Sequence, residues 1–220
     1  MSFSVDLTAV EWLWLGHILF GLILVRACWQ AAWWHLWDNK DIHVFFGTCL
    51  IVWMLWLMRA GITSGMEFHI LLVTTVTLMF GWQFAVICTS IAQIGVTLMG
   101  QAEWGSFSLN VLCNGVIPAL VTYAVYWVAY YLFPKHFFIY IYICAFAGGA
   151  LSMLLSRLAG LSILLLSQTY TMAELGEQPL FIIVMLFPEA FINGALVTLL
   201  VVFRPQWIGS FNDDVYLRGK

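Results

Sequence analysis

Charged residues are scarce in this sequence of 220 residues, where Asp, Glu, Lys and Arg together make up 9%. Soluble domains carry roughly 25% of charged residues, so this chain cannot cover a water-facing surface. Its net charge of −3 leaves no basic surface for nucleic acid, which excludes that class of partner. The Walker motif that cradles ATP phosphates is also absent, so we do not expect this chain to hydrolyse ATP.

Cysteines are few, and their spacing matches no zinc or redox motif. They stand singly in apolar runs, without a CxxC pair or a Cys/His zinc pattern. We therefore predict buried free thiols, the usual state of cysteine in such surroundings. The five cysteines are Cys28, Cys49, Cys88, Cys113 and Cys144.

Apolar side chains are abundant, at 63% of residues, and aromatic ones make up 17%. Since about 20 apolar residues cross a bilayer as a helix, this composition predicts an all-α polytopic membrane protein. We expect one integral membrane domain, residues 1–220, with about seven transmembrane helices, some of them short or broken. The expected spans are residues 10–34, 43–58, 66–82, 84–99, 109–133, 137–166 and 180–203.

Basic residues fall mostly on one side of these spans. With seven spans, Lys40, Lys135 and Arg204 share a side with the C-terminus, whereas Arg59 lies opposite. The positive-inside rule then places the C-terminus in the cytoplasm and the N-terminus outside. We therefore expect a multi-pass protein of the inner (plasma) membrane of the cell, surrounded by the lipid bilayer.

The stretch Arg59–Gly81 is the strongest candidate for a functional site. Gly61 and Gly65 allow a tight backbone that approaches a ligand closely. Met66 and His69 follow at the start of the expected third span, where a polar side chain is costly and often functional. The alternative interpretation is an ordinary helix start whose polar residues have no functional role.

Further candidate metal ligands lie in the outer half of the expected spans. Imidazole, thiolate and thioether groups suit nickel, cobalt or copper, whereas magnesium and calcium require several carboxylates. A histidine at a membrane interface is more often a hydrogen-bonded packing residue, so packing stays open as the alternative for each. The candidates are His69, Met66, His17, Cys113 and Asn114.

Two charges lie deep inside the expected spans. Arg157 and Glu189 are each about ten residues from the outer end of antiparallel spans, at similar depth. An unpaired charge at that depth costs several kcal/mol, so we predict a buried Arg157–Glu189 ion pair. Whether the pair is structural or gates transport stays open.

A family resemblance begins at the candidate stretch. Residues 61–82, GITSGMEFHILLVTTVTLMFGW, resemble the Gly-Thr-Ser-x-x-His segment of the substrate-capture permeases of cobalt and nickel energy-coupling factor transporters (CbiM/NikM type). Asn110–Val116 resembles the Asn-rich turn that enters their fifth helix, and the seven-span layout is similar. Phe187–Gly194 and Arg204–Trp207 look like a divergent branch of that family.

The resemblance implies a metal site made from the amino terminus, a His at position two and the His of the Gly-rich segment. His69 matches the last of these, but position two is Ser2, which removes nitrogen ligands that favour nickel or cobalt. A softer set of His69, Met66, Cys113 and His17 would suit copper better. The resemblance also implies a separate ATPase and a transmembrane coupling subunit as partners.

We therefore predict a capture component for transition-metal uptake that is not an enzyme and has no intrinsic cofactor. A membrane haem or electron-transfer protein is one alternative, for which His17 and His69 are the only outer histidine pair. A non-transporting assembly protein, whose polar residues merely pack, is the other. An intramembrane hydrolase is disfavoured because no Gly-x-Ser-x-Gly elbow occurs.

Overall fold

A computed structural model of the chain describes residues 2–38, 42–61, 65, 67–177 and 179–216. This part of the chain is helical, and its one extended pairing is an isolated antiparallel bridge between Ala60 and Phe68. The prediction of an all-α protein is therefore confirmed. The helices are α1 (Val10–Gln30), α2 (Trp33–Asp38), α3 (Ile42–Leu57), α4 (Val73–Phe80), α5 (Trp82–Leu98), α6 (Phe107–Leu132), α7 (Phe137–Leu166), α8 (Met172–Leu175), α9 (Leu180–Phe203) and α10 (Asp213–Tyr216).

Four of these helices, α1, α6, α7 and α9, are long and apolar enough to cross a membrane. Many of their large apolar side chains face outward, as lipid-facing positions require. The prediction of a polytopic membrane protein is confirmed by this pattern. Helices α3 and α5 are apolar but shorter, at 16 and 17 residues, and their crossing of the bilayer stays a prediction.

Successive helices run in alternating directions, so the connecting segments gather at two ends of the bundle. We call the end with residues 2–9, 58–61, 67–72, 99–106 and 167–177 the amino end. The end with residues 31–38, 133–136 and 204–216 is the carboxyl end. The assignment of the amino end to the outside of the cell stays a prediction.

The expected third span, residues 66–82, differs most from the structure. Its described residues are helical over Val73–Phe80 and again at Trp82, where α5 begins, and residues 67–72 form an irregular segment that includes the bridge residue Phe68. Leu72 lies in the left-handed region, with φ of 59°, and Gly81, with φ of 87°, separates α4 from α5. Apolar composition alone did not distinguish an irregular segment from a helix, because both bury the same side chains.

The short helix α4 lies in the centre of the bundle. Every residue from Val73 to Met79 is buried, including three threonines. The Thr74 hydroxyl bonds to those of Thr122, at 2.8 Å, and Ser152, at 2.9 Å, which joins α4 to α6 and α7. A helix of this length is not stable alone, so its surroundings must hold it.

Helices α6 and α7 each contain a π-helical segment, Leu112–Val116 and Tyr140–Ala147. Such segments redirect the side chains that follow and are frequent at functional sites. The one in α6 carries Cys113 and Asn114, and its Gly115 packs directly against Thr89 of α5.

Candidate functional site

The segment that carries His69 folds back on itself at the amino end of the bundle. Phe68 and Ala60 exchange two backbone hydrogen bonds, with N···O distances of 2.7 and 3.0 Å. Beside this bridge, Arg59 and Glu67 form an ion pair with an N···O distance of 3.1 Å. The backbone just before His69 is therefore fixed in position.

His69 itself is buried, with 4% of its surface exposed, and its ring lies 5.3 Å from the Trp56 ring, centroid to centroid. Its Nδ1 lies 3.3 Å from the Ile70 carbonyl oxygen. A carbonyl oxygen only accepts, so Nδ1 carries the hydrogen and Nε2 carries the lone pair. Within the described ranges Nε2 has no hydrogen bond, and a metal-binding imidazole has this arrangement.

The first residues of the chain lie against the same segment. The Ser2 amide donates to the Gly65 carbonyl at 3.3 Å, and Arg59 donates to the Ser2 hydroxyl at 2.8 Å. Phe3 is buried, and the Asn110 side chain bonds both its backbone N–H, at 2.7 Å, and its C=O, at 3.1 Å. Asn110 was noticed in sequence only for its family resemblance, and pairing of a buried asparagine with backbone is its physical role here.

The other predicted ligands have separate surroundings. The His17 Nδ1 bonds to the Ser108 hydroxyl at 2.8 Å, and Cys113 lies in an apolar cluster with Phe3 and Leu13. Asn114 accepts a hydrogen bond from Arg157 at 2.9 Å, and Met66 lies outside the described residues. In the part of the chain that the structure describes, no three His, Cys, Asp or Glu side chains cluster as a metal site.

Arg157 and Glu189 do not form the direct ion pair that we predicted. Both are fully buried, but among the described residues the ion pair within 4.0 Å is that of Arg59 and Glu67. Arg157 donates to Asn114 and, at 3.4 Å, to the Met153 sulfur, and its Nη2 has no hydrogen-bond partner among the residues that the structure describes. The two opposite charges interact only over a longer distance.

Glu189 instead binds the backbone at the start of α4. Its two carboxylate oxygens accept hydrogen bonds from the amides of Leu71, at 2.8 Å, and Leu72, at 2.9 Å. Asn193, one turn along α9, donates to Glu189 at 2.8 Å and accepts from the Thr75 amide at 2.9 Å. The sequence signal for Asn193 was its spacing of four from Glu189, which places both on one helix face.

Gly149 lets α7 approach α9 at this level. A Cβ at Gly149 would lie 3.3 Å from both the Ala190 Cα and the Glu189 carbonyl oxygen. Small residues allow such close contacts between membrane helices. Gly149 therefore brings α7 against α9 at the turn that carries Glu189 and Asn193.

Comparison with known proteins identifies the family. The family model CbiM, described as cobalt uptake substrate-specific transmembrane region, matches residues 6–207. No curated protein and no solved structure matches the chain significantly. The match includes the segment with His69 and all of the long helices, which confirms the resemblance seen in the sequence. The chain therefore belongs to the family of cobalt uptake substrate-specific transmembrane proteins.

Proposed function

We propose that this chain captures Co²⁺ for uptake, with His69 as a ligand. The observation that carries the proposal is the His69 ring, whose Nδ1 is bonded to the Ile70 carbonyl while Nε2 keeps its lone pair. A neutral imidazole held in one tautomer by a backbone carbonyl is ready to bind a transition metal. Membership of the cobalt uptake family makes Co²⁺ the first candidate ion.

The remaining ligands are part of the proposal. Met66 and Cys113 offer soft sulfur ligands, which favour copper over cobalt, so the metal has to be decided by competition. His17 bonds to Ser108 through Nδ1, as His69 bonds to Ile70, so its Nε2 could bind metal without loss of that bond. The Asn114 Oδ1 already accepts from Arg157. We therefore rank Asn114 below Met66, Cys113 and His17.

Isothermal titration of the purified protein with Co²⁺, Ni²⁺ and copper tests this site. We expect the wild type to bind Co²⁺ saturably. Loss of a residue that only supports a ligand lowers metal affinity by about 10–100-fold, and we expect His69→Ala to lower the Co²⁺ affinity by more than that. His43→Ala is the matched control, since His43 is exposed at the other end of the bundle and should leave binding unchanged. Absence of Co²⁺ binding, or equal binding by His69→Ala, would refute the proposal.

We also propose that capture occurs at the outer face and that separate subunits supply the energy. The positive-inside rule supports the outer position of the amino end, and the absence of a Walker motif supports an external ATPase. Cells that produce this chain with an ATPase and a coupling subunit should accumulate labelled Co²⁺, and cells with the chain alone should not. Equal accumulation in both would contradict the need for partners.

A further inference from the structure

Glu189 is surrounded by hydrogen-bond donors. Its carboxylate accepts from the Leu71 amide at 2.8 Å, the Leu72 amide at 2.9 Å and the Asn193 side-chain amide at 2.8 Å. Both oxygens are therefore acceptors, and the side chain is fully buried. A buried carboxylate whose oxygens accept hydrogen bonds from the main chain of another segment fixes that segment in place.

Asn193 extends this contact into the first turn of α4. Its Oδ1 accepts from the Thr75 amide at 2.9 Å and from the Thr75 hydroxyl at 2.8 Å. The first amides of a helix have no partner within the helix, and no water is available in an apolar interior. Leu72, the N-cap residue, has no side-chain group that could bond to these amides. Side chains of α9, more than 110 residues away in sequence, accept the hydrogen bonds instead.

The fixed point lies close to His69. Leu71 is two residues further along the chain, and two extended residues span at most about 7 Å. The Leu71 carbonyl also accepts from the Trp56 indole at 3.2 Å, and the Trp56 ring packs against His69. His69 is thus held between the Phe68 bridge on one side and Leu71 on the other.

The backbone between these points is strained. Leu72 has φ of 59°, which is a left-handed conformation. This conformation is unfavourable in free energy for any residue other than glycine. Such a conformation persists only where the surroundings hold it, and here the Leu72 amide points to Glu189. Without Glu189 this turn would relax and carry His69 with it.

We propose that Glu189 is the positioning residue of the metal site: it acts through the Leu71 and Leu72 amides to hold His69 ready for Co²⁺. This inference rests on the proposed function of His69. Asn193 supports the same backbone, and the Trp56 indole, which donates to the Leu71 carbonyl, fixes it as well. Glu189 itself does not touch the metal.

Glu189→Gln tests the proposal, because its side-chain NH₂ would face one of the two amides, donor against donor. We expect Co²⁺ affinity to fall by about 10–100-fold, the usual cost of losing an outer-shell partner. The visible absorption bands of bound Co²⁺ should also shift, since the His69 ring takes another orientation. Loss of stability alone would not shift those bands.

Thr122→Ala is the matched control, because it removes a buried hydrogen bond of α4 without touching residues 69–72. Its Co²⁺ affinity and absorption bands should equal those of the wild type. Wild-type affinity in Glu189→Gln, or the same loss in both variants, would overturn the positioning role. Failure of the wild type to bind Co²⁺ would refute the proposed function instead.

Trp56→Phe decides the case if Glu189→Gln does not fold. It keeps an aromatic ring beside His69 but removes the indole N–H that donates to the Leu71 carbonyl. We expect a smaller, several-fold loss of Co²⁺ affinity with a shift of the absorption bands in the same direction. Unchanged affinity in Trp56→Phe would overturn the inference.

Discussion

The two ends of α4 are held in different ways. At the amino end, the Glu189 and Asn193 side chains bind the amides of Leu71, Leu72 and Thr75. At the carboxyl end, the backbone amides of the segment after α9 bind the last carbonyls: Gly209 to Met79 at 2.9 Å and Ser210 to Leu78 at 3.2 Å. Helix α9 and the segment that follows it thus hold both ends of the same short helix.

Because the two ends are held by different groups, a single substitution affects them differently. The amino end depends on two side chains, which substitution removes completely. The carboxyl end depends mostly on main-chain groups, which remain after any substitution that keeps the backbone path. The amino end, next to His69, is therefore the more sensitive of the two.

Glu189→Ala should have the largest effect on stability. It leaves the buried amides of Leu71 and Leu72 without partners, and each unsatisfied buried group costs about 1–3 kcal/mol. We expect the free energy of unfolding to fall by about 3–5 kcal/mol. Equilibrium unfolding in mixed micelles, followed by the reactivity of the buried cysteine thiols, measures it.

Glu174→Ala is the control for Glu189→Ala, because Glu174 is an exposed carboxylate that accepts from the Thr171 amide at the start of the short helix α8. It should change the free energy of unfolding by less than about 1 kcal/mol. If Glu189→Ala destabilised the protein no more than Glu174→Ala, the amino end of α4 would not depend on this side chain.

Gly209→Ala is the substitution that disturbs the carboxyl end most. An added Cβ would lie 2.9 Å from the Met79 carbonyl oxygen, the group that the Gly209 amide binds. Overpacking of this kind costs about 1–3 kcal/mol, so we expect a loss of about 2 kcal/mol, smaller than for Glu189→Ala. The same unfolding measurement applies. Gly21→Ala, where a Cβ meets nothing within 4 Å, should not destabilise the protein.

The helical framework could be predicted from the sequence, because long apolar runs in a bilayer form helices with all backbone groups paired. The expected span 180–203 coincides with helix Leu180–Phe203, and the expected span 137–166 with helix Phe137–Leu166. The irregular segment before Val73 was missed, because its residues are as apolar as those of a helix. Only its pairing with Ala60 and Glu189 distinguishes it.

The hydrogen-bond partners of the buried charges could not be predicted from the sequence. The cost of a buried charge correctly indicated that Glu189 needs partners, and Arg157 was the only opposite charge at that depth. Backbone amides at the start of a helix are equally good partners for a carboxylate. Every residue except proline has such an amide, so the sequence does not indicate which amides will lie beside Glu189. His69 was identified from sequence because it follows a Gly-rich turn beside Met66 and matches the His of the family segment, and its role as a ligand stays a proposal.

Ser210→Ala should have a smaller effect than Gly209→Ala. It removes the hydroxyl that lies 2.7 Å from both the Leu78 carbonyl oxygen and the Tyr140 hydroxyl, but it keeps the backbone bond to Leu78. We expect a loss of about 1 kcal/mol in the free energy of unfolding. Combination with Tyr140→Phe in a double-mutant cycle isolates the hydroxyl pair, and a loss above that of Gly209→Ala would contradict the main-chain character of this end.

Thr75→Val should have the smallest effect, and it tests which group at the amino end matters. It removes the hydroxyl that donates to Asn193 Oδ1 but keeps the Thr75 amide, which donates to the same oxygen. Since Asn193 still has a partner, no buried polar group becomes unsatisfied, and we expect a loss of about 0.5 kcal/mol. Asn193→Ala, which leaves the Thr75 amide unpaired, should cost clearly more in the same unfolding experiment. Equal losses would mean that the hydroxyl, and not the amide cap, holds the amino end of α4.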